Sequence, residues 1–262
     1  MRRYARVAWR AWSATIQAEL EYRVNFVLAL LTTLGTMAGA LFSLALFYRN
    51  GFALGGWSWS EVELVIGFYT VLDGLHASLF APSHIKLSEQ VRDGTLDFAL
   101  LKPVDSQFLV SVQHLSVWGI PGALLGLGIV AHAGITHEPP LAAADYAAGV
   151  VPLLSAVAIL YAIGFMLATT SIWFVKLWNL TIALQSLLEA GRLPISAYPP
   201  AYRAVFTFVV PVAFLTTVPA RAMAQGDARD WVLASAALAV VLGVAARVFW
   251  RRALRSYTSA SS

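Results

Sequence analysis

The chain contains no cysteine. That excludes disulfides, Cys-ligated zinc, iron–sulfur clusters and thiolate-bound haem. Its only lysines are Lys86, Lys102 and Lys176, preceded by Ile85, Leu101 and Val175. A nucleotide-binding phosphate loop needs Gly-Lys-Ser/Thr, so this chain has no such loop and any ATP chemistry belongs to another polypeptide. His76, His84, His114, His132 and His137 show no metal-ligand spacing, and His137-Glu138 lacks the second histidine of H-E-x-x-H. No G-x-S-x-G elbow marks a serine hydrolase. Charge is scarce as well: 12% of residues are charged, about half the fraction of a soluble domain.

Abundance lies elsewhere. The 262 residues are 59% hydrophobic, gathered in several runs of membrane-spanning length. Lipid leaves each backbone polar group to find its own partner, so runs of this length predict spanning helices, not barrel strands. The net charge of +4 comes mainly from arginines near the chain ends, as cytoplasmic segments of membrane proteins carry them, and does not point to nucleic acid. Arg2, Arg3, Arg6 and Arg10 imitate the start of a signal peptide. The first apolar run begins only near Val24, though, and is about 24 residues long, beyond a 7–15-residue signal core, so it reads as a retained span.

Residues 1–22 place Tyr4, Ala8, Trp12, Ile16 and Leu20 on one helical stripe with the arginines off it. This predicts an amphipathic helix in the headgroup plane, against the plainer reading of a frayed tail. A single transmembrane domain follows over 23–255, and 256–262 reads as a flexible tail. Spans are expected at about 24–47, 61–81, 107–131, 147–172, 177–191 and 230–249. Placing most Lys and Arg inside alternates correctly for six crossings with both termini cytoplasmic. That arrangement makes 177–191 a short crossing and 203–223, broken by Pro211 and Pro219, a re-entrant hairpin from the outside. The alternative exchanges the two, with 177–191 interfacial and 203–223 spanning.

One segment stands apart. Residues 83–106, SHIKLSEQVRDGTLDFALLKPVDS, are charged and punctuated between two apolar runs. Gly94 is placed to end a short helix, and Thr95 to cap a second with Asp97 in its first turn. Pro103 stops that helix, and Asp105 or Ser106 caps the next span. Leu96, Phe98, Leu100 and Leu101 form an apolar patch with a charged rim. Such a knob suits docking to a soluble partner; the competing reading is a loop that dips its apolar residues into lipid.

The run EQVRDGTLDFALLKPVDSQFLVS resembles the loop of ABC-2-type transporter permeases, where an E-x-x-R-x-G-T-L-D-x-x-L-x-x-P-V pattern forms the coupling helix. YPPAYRAVFTFVVPVAFLTTVPA resembles the stretch before that family's last span. The resemblance covers nearly the whole chain and is nearest to bacterial permeases of uncharacterised substrate. It implies an all-α membrane protein of six spans with the ABC-2, type V exporter-like fold. An N-terminal interfacial helix, a cytoplasmic coupling helix and a re-entrant hairpin before the last span belong to that fold. Glu89, Arg92, Gly94, Thr95, Leu96, Asp97 and Pro103 are the matching coupling-loop positions. It further implies the bacterial cytoplasmic (inner) membrane and a separate ABC ATPase holding ATP and Mg, with no cofactor on this chain. A second permease completes the transporter, either a heterologous paralogue or another copy, and the direction is export.

Other residues invite function. Asp73 and His76 lie three apart on the second span, and an intramembrane acid–imidazole pair suggests substrate contact or a proton relay, against a packing hydrogen bond. On that pair rests the rival reading of an ion- or proton-coupled secondary transporter. Glu189 is placed to pair with Arg192. Gly35 with Gly39, and Gly122 with Gly126, have the spacing of close helix–helix or dimer contacts.

Overall fold

A computed structural model of the chain describes residues 23–174, 180–226 and 228–257, together with Trp9, Trp12, Ser13 and residues 15–17. Most of the expected 1–22 helix, residues 175–179 and the tail beyond 257 lie outside the described residues. The six described residues before 23 are helical. Among the described residues there is no β-strand, only an isolated bridge between Leu54 and Trp57.

The helices are α1 (Arg23–Arg49), α2 (Trp59–Arg92), α3 (Leu96–Leu100), α4 (Ser106–Val112), α5 (Ile120–Thr136), α6 (Ala143–Thr169), α7 (Leu180–Ala190), α8 (Pro200–Ala204), α9 (Thr217–Ala224) and α10 (Arg229–Ser256). α1, α2, α6 and α10 are long and apolar enough to cross a membrane; α5 is shorter. Among the described residues, four of the expected spans are thus long helices and the rest are shorter pieces.

Two expected boundaries move. The second span does not stop near residue 81. It passes through a π-helical turn at His76–Phe80 and continues as α-helix to Arg92, so the start of the charged segment is the lower half of α2. Pro82 does not break the helix, because the π turn precedes it and the Ser78 carbonyl four residues back, which a proline cannot serve, accepts the Ser116 N–H. The third span, expected at 107–131, is interrupted. α4 ends at Val112, and the chain is non-helical to Gly119 before α5 begins. The apolar run concealed this break, which is stitched to α2 by polar groups. Ser83 Oγ donates to the His114 carbonyl at 2.8 Å and accepts from the His114 N–H, and the Ser116 N–H reaches the Ser78 carbonyl at 2.9 Å. The Gln90 and Gln113 amides exchange two hydrogen bonds of 3.1 Å.

α2 starts on a capping box, in which the Glu61 N–H reaches Ser58 Oγ and the Ser58 N–H donates to Glu61 Oε2. It packs most intimately against α5, backbone to backbone. A methyl group at Gly126 would stand 2.5 Å from the Val71 nitrogen, and one at Gly67 would stand 2.6 Å from the Val130 side chain. Gly122 also faces α2, touching Gly74. Gly122 and Gly126 thus face α2 of their own chain, because α5 folds back antiparallel on it. Gly35 and Gly39, on the sparsely covered α1, meet nothing.

The bundle has two distinguishable ends. At one, α3 packs beneath α6 and α10, and the Trp12 indole donates to the Val112 carbonyl at 3.0 Å. At the other, the Trp57 indole donates to Ser196 Oγ at 2.9 Å and Gln225 to Glu61 Oε1 at 2.9 Å. Residues 200–224 leave this second end, turn at Pro211 among buried Phe214 and Leu215, and return to it through α9.

Replacing Gly126 with alanine should destabilise the chain by about 1–3 kcal/mol through overpacking. Gly128→Ala, where nothing lies within 4 Å, should leave the melting temperature in detergent unchanged. Parallel thermal unfolding of the two variants checks this.

Candidate functional site

The knob, residues 93–105, is built by local chemistry. α2 ends in a Schellman motif: Gly94 takes the left-handed conformation (φ 68°), its N–H reaches Val91 O, and the Thr95 N–H reaches Gln90 O at 2.9 Å. Only glycine takes this φ without strain. Thr95 stands at the N-cap of α3, but its hydroxyl makes no capping bond, since its backbone is not in the extended form that aims a side chain back at the helix. The cap expected at Asp105 or Ser106 is made by Asp105, which accepts the Phe108 N–H at 3.0 Å and opens α4.

α3 has two faces. Leu96 and Ala99 are buried against Phe165 of α6 and Trp250 of α10. Phe98 and Leu101 point away and are 71% and 80% exposed. Around them stand exposed Arg92, Asp93, Lys102 and Pro103. Arg92 Nε bonds Asp93 Oδ1 at 2.9 Å and holds that carboxyl below its usual range; Lys86 Nζ pairs with Glu89 at 3.2 Å. Asp97 lies beside Tyr257, whose phenol is raised first by burial and then by that negative charge. Of the sequence-selected residues, Glu89 and Arg92 lie in the last turn of α2 and Gly94, Thr95, Leu96, Asp97 and Pro103 on the knob it carries, and their roles divide. Gly94 and Leu96 build it, whereas the charged ones edge it.

What the sequence did not single out is the attachment of the knob to the last helix. Arg247 grips Asp105 through both guanidinium nitrogens, Nη1 to Oδ1 at 2.9 Å and Nη2 to Oδ2, and also reaches Gln107 Oε1 at 3.2 Å. The Trp250 indole donates to Ser106 Oγ at 3.0 Å. These partners lie more than 100 positions apart in the chain, and an arginine near a C-terminus reads from sequence only as topology charge.

A second polar group lies within the bundle. Asp73 is about 21 Å along α2 from Trp59, inside the length that a ~30 Å hydrocarbon slab would cover. Glu189 and Arg192 at the end of α7 are close enough to act on its carboxylate, and the Arg192 guanidinium sits 5.9 Å from the Tyr69 ring centroid. The expected Asp73–His76 pair is not made. A three-residue offset leaves about 60° between side chains around a helix. Asp73 faces α7, while His76 is buried within charge range of His84. Nor do Glu189 and Arg192 form an ion pair; they share a backbone turn, and the guanidinium turns to Tyr69. Among the described residues no group of His, Asp and Glu could hold a metal ion.

The long apolar helices make this a multi-pass integral membrane protein, helical throughout its described residues apart from loops and turns. Residues 34–261 match the family described as ABC-2 family transporter protein. The chain belongs to that family, whose members are membrane components of ABC transporters and are not themselves the catalytic subunit. No curated protein and no solved structure matches the chain.

The Arg247 pairing holds the Asp105 carboxyl below its usual range. A depressed pKa contributes stability above the unfolded value of about 3.9, lost as pH falls through the folded one. Asp105→Asn keeps a capping oxygen but loses the charge. It should melt below wild type at pH 6, by an amount on the order of 1 kcal/mol for a partly exposed pair. The difference should shrink once the pH drops below about 4. Melting curves of both proteins across that range check it.

Proposed function

We propose that this chain is the permease subunit of an ATP-driven exporter and that the 83–106 segment is where a separate ABC ATPase docks. The observation that carries the reading is the exposed Phe98–Leu101 pair, rimmed by Arg92, Asp93 and Lys102, on a knob whose other face is anchored in the bundle. Apolar anchors inside a charged rim are the anatomy of a protein interface. A family whose members work with an ABC ATPase supplies the partner class.

Charge supports a cytoplasmic knob. Lys86, Arg92, Lys102, Arg247, Arg251, Arg252 and Arg255 all lie toward that end, and the positive-inside rule puts such an end in the cytoplasm of a bacterial inner membrane. Residues 200–224 then form a re-entrant hairpin from the outer side. The Tyr69–Asp73–Glu189–Arg192 group belongs on a face shielded from lipid, because charges inside the hydrocarbon are costly unless they line a polar path or meet a partner. A second permease, a paralogue or another copy, supplies that cover. α1, with Gly35 and Gly39 exposed and its Thr32, Thr36 and Ser43 hydroxyls satisfied by their own helix, is a further surface for it.

The test is a gentle-detergent pull-down from native membranes. An ABC ATPase should accompany the chain. Phe98→Asp combined with Leu101→Asp should cut its recovery roughly tenfold or more, as expected for losing anchors worth about 2 kcal/mol. Asp97→Lys should weaken it as well. Unchanged recovery with all three substitutions would refute docking at the knob. Transport that persists without the ATPase but collapses with uncouplers would favour an ion-coupled transporter.

A further inference from the structure

The knob packs on α6 through Leu96 and Ala99 and is tied to the bundle by chain continuity or hydrogen bonds through three further elements, two of which are interrupted. α2 contains the π-helical turn His76–Phe80, a looser winding than the α-helix on either side. α4 stops at Val112, seven residues short of α5. α10 runs unbroken from Arg229 to Ser256, about 42 Å at 1.5 Å per residue. Its knob-end face presents Arg247, Trp250, Leu254 and Tyr257 at spacings of three and four, all turned to the knob or to its packing cluster. Arg247 and Trp250 hold Asp105 and Ser106, the two residues that close the knob and open α4. At its far end α10 presents Trp231, whose ring lies 5.8 Å from that of Phe214 at the turn of the 200–224 hairpin. Between these points Leu238, Ala239 and Leu242 pack on the cluster that contains Phe214, Leu215 and Val218.

We propose that α10 is a push-rod, in which Asp105–Arg247 and Ser106–Trp250 receive movement of the knob and Trp231–Phe214 delivers it to the hairpin at the opposite end. The physical basis is stiffness. A continuous hydrogen-bonded helix moves as a unit, whereas a π turn or a chain break absorbs displacement. Charge-assisted two-pronged bonds fix position and angle together, so Arg247 follows Asp105 rather than sliding past it. α10 packs along α6 and touches α9, so it slides with or against these two neighbours, while its opposite face, bearing Leu233, Val240, Val241, Val244 and Val248, is uncovered. Arg247, Trp250 and Trp231 are positioning residues on this account; none needs to touch ATP or cargo.

The proposal rests on ATPase docking at the knob, and the experiment separates the two. The cysteine-free chain accepts a single reporter, Tyr202→Cys, on the exposed arm of the hairpin. Complexes are isolated through the ATPase, placed in nanodiscs, and the maleimide labelling rate is read with and without a non-hydrolysable ATP analogue and Mg. The expected result is a several-fold nucleotide-dependent change in rate. Asp105→Arg or Arg247→Asp alone should abolish it, and the double exchange should restore it. Trp231→Leu, far from the knob, should abolish it without any route to disturb docking. A response that survives Trp231→Leu or either single reversal would overturn the push-rod, as would docked wild-type complexes that show no response. If the wild-type chain recovers no ATPase, docking itself fails and the push-rod falls with it.

Discussion

Backbone polar groups cannot be left unpaired inside an apolar slab, and this constraint decides where the chain is allowed to break. Two interruptions in the bundle are closed by specific polar side chains. The gap after α4 is stitched by Ser83 and the Gln90–Gln113 pair. The descent after α7 is held by Thr216 Oγ1, which donates to the Gly191 carbonyl at 2.6 Å, and by Thr217 Oγ1, which accepts the Ile195 N–H. Serines, threonines and glutamines that look incidental in an apolar sequence are therefore the structural joints. The long helices α1 and α10 run without interruption, and α6 does so with Pro152 inside it.

The same accounting governs charge. Ion pairs and free charges concentrate at the two ends of the bundle, and the exception is the group around Asp73. There two carboxylates and a guanidinium meet a tyrosine ring without forming a closed ion pair. Such a group is tolerable only on a surface that lipid does not wet. The knob shows the opposite economy. Its inner face is spent on Trp250 and Phe165, its outer face keeps two large apolar side chains in the open, and the bond between Asp105 and Arg247 ties that outer face to a helix reaching the far end. Attachment at one end and aromatic contact at the other make α10 a mechanical element rather than only an anchor.

How much was legible in the residues follows from what each feature depends on. The apolar runs around 24–47, 147–172 and 230–249 correspond to α1, α6 and α10, because transfer of apolar side chains from water depends on composition alone. Gly94 was legible as a helix stop, since the preference for positive φ is intrinsic to glycine. The Thr95 cap was not, because a capping residue works only if the incoming backbone is extended. Hydrophobicity could not reveal the break at 113–119, as an apolar run looks the same whether or not its helix continues. The i, i+3 offset of Asp73 and His76 suggested a pair, yet neighbours on other helices drew the two side chains apart.

By itself the sequence determined the class of this protein: an all-helical membrane chain carrying a charged segment between apolar runs. Those properties are sums over local residues, and locality is what a sequence displays. Tertiary structure alone decided that Gly126 meets α2 of its own chain, that Arg192 lies over Tyr69, and that Arg247 and Trp250 hold Asp105 and Ser106 from more than 100 positions away. Contacts of that kind depend on which helices become neighbours and at what rotation. Those are set jointly by every packed surface in the bundle, and no single segment contains them.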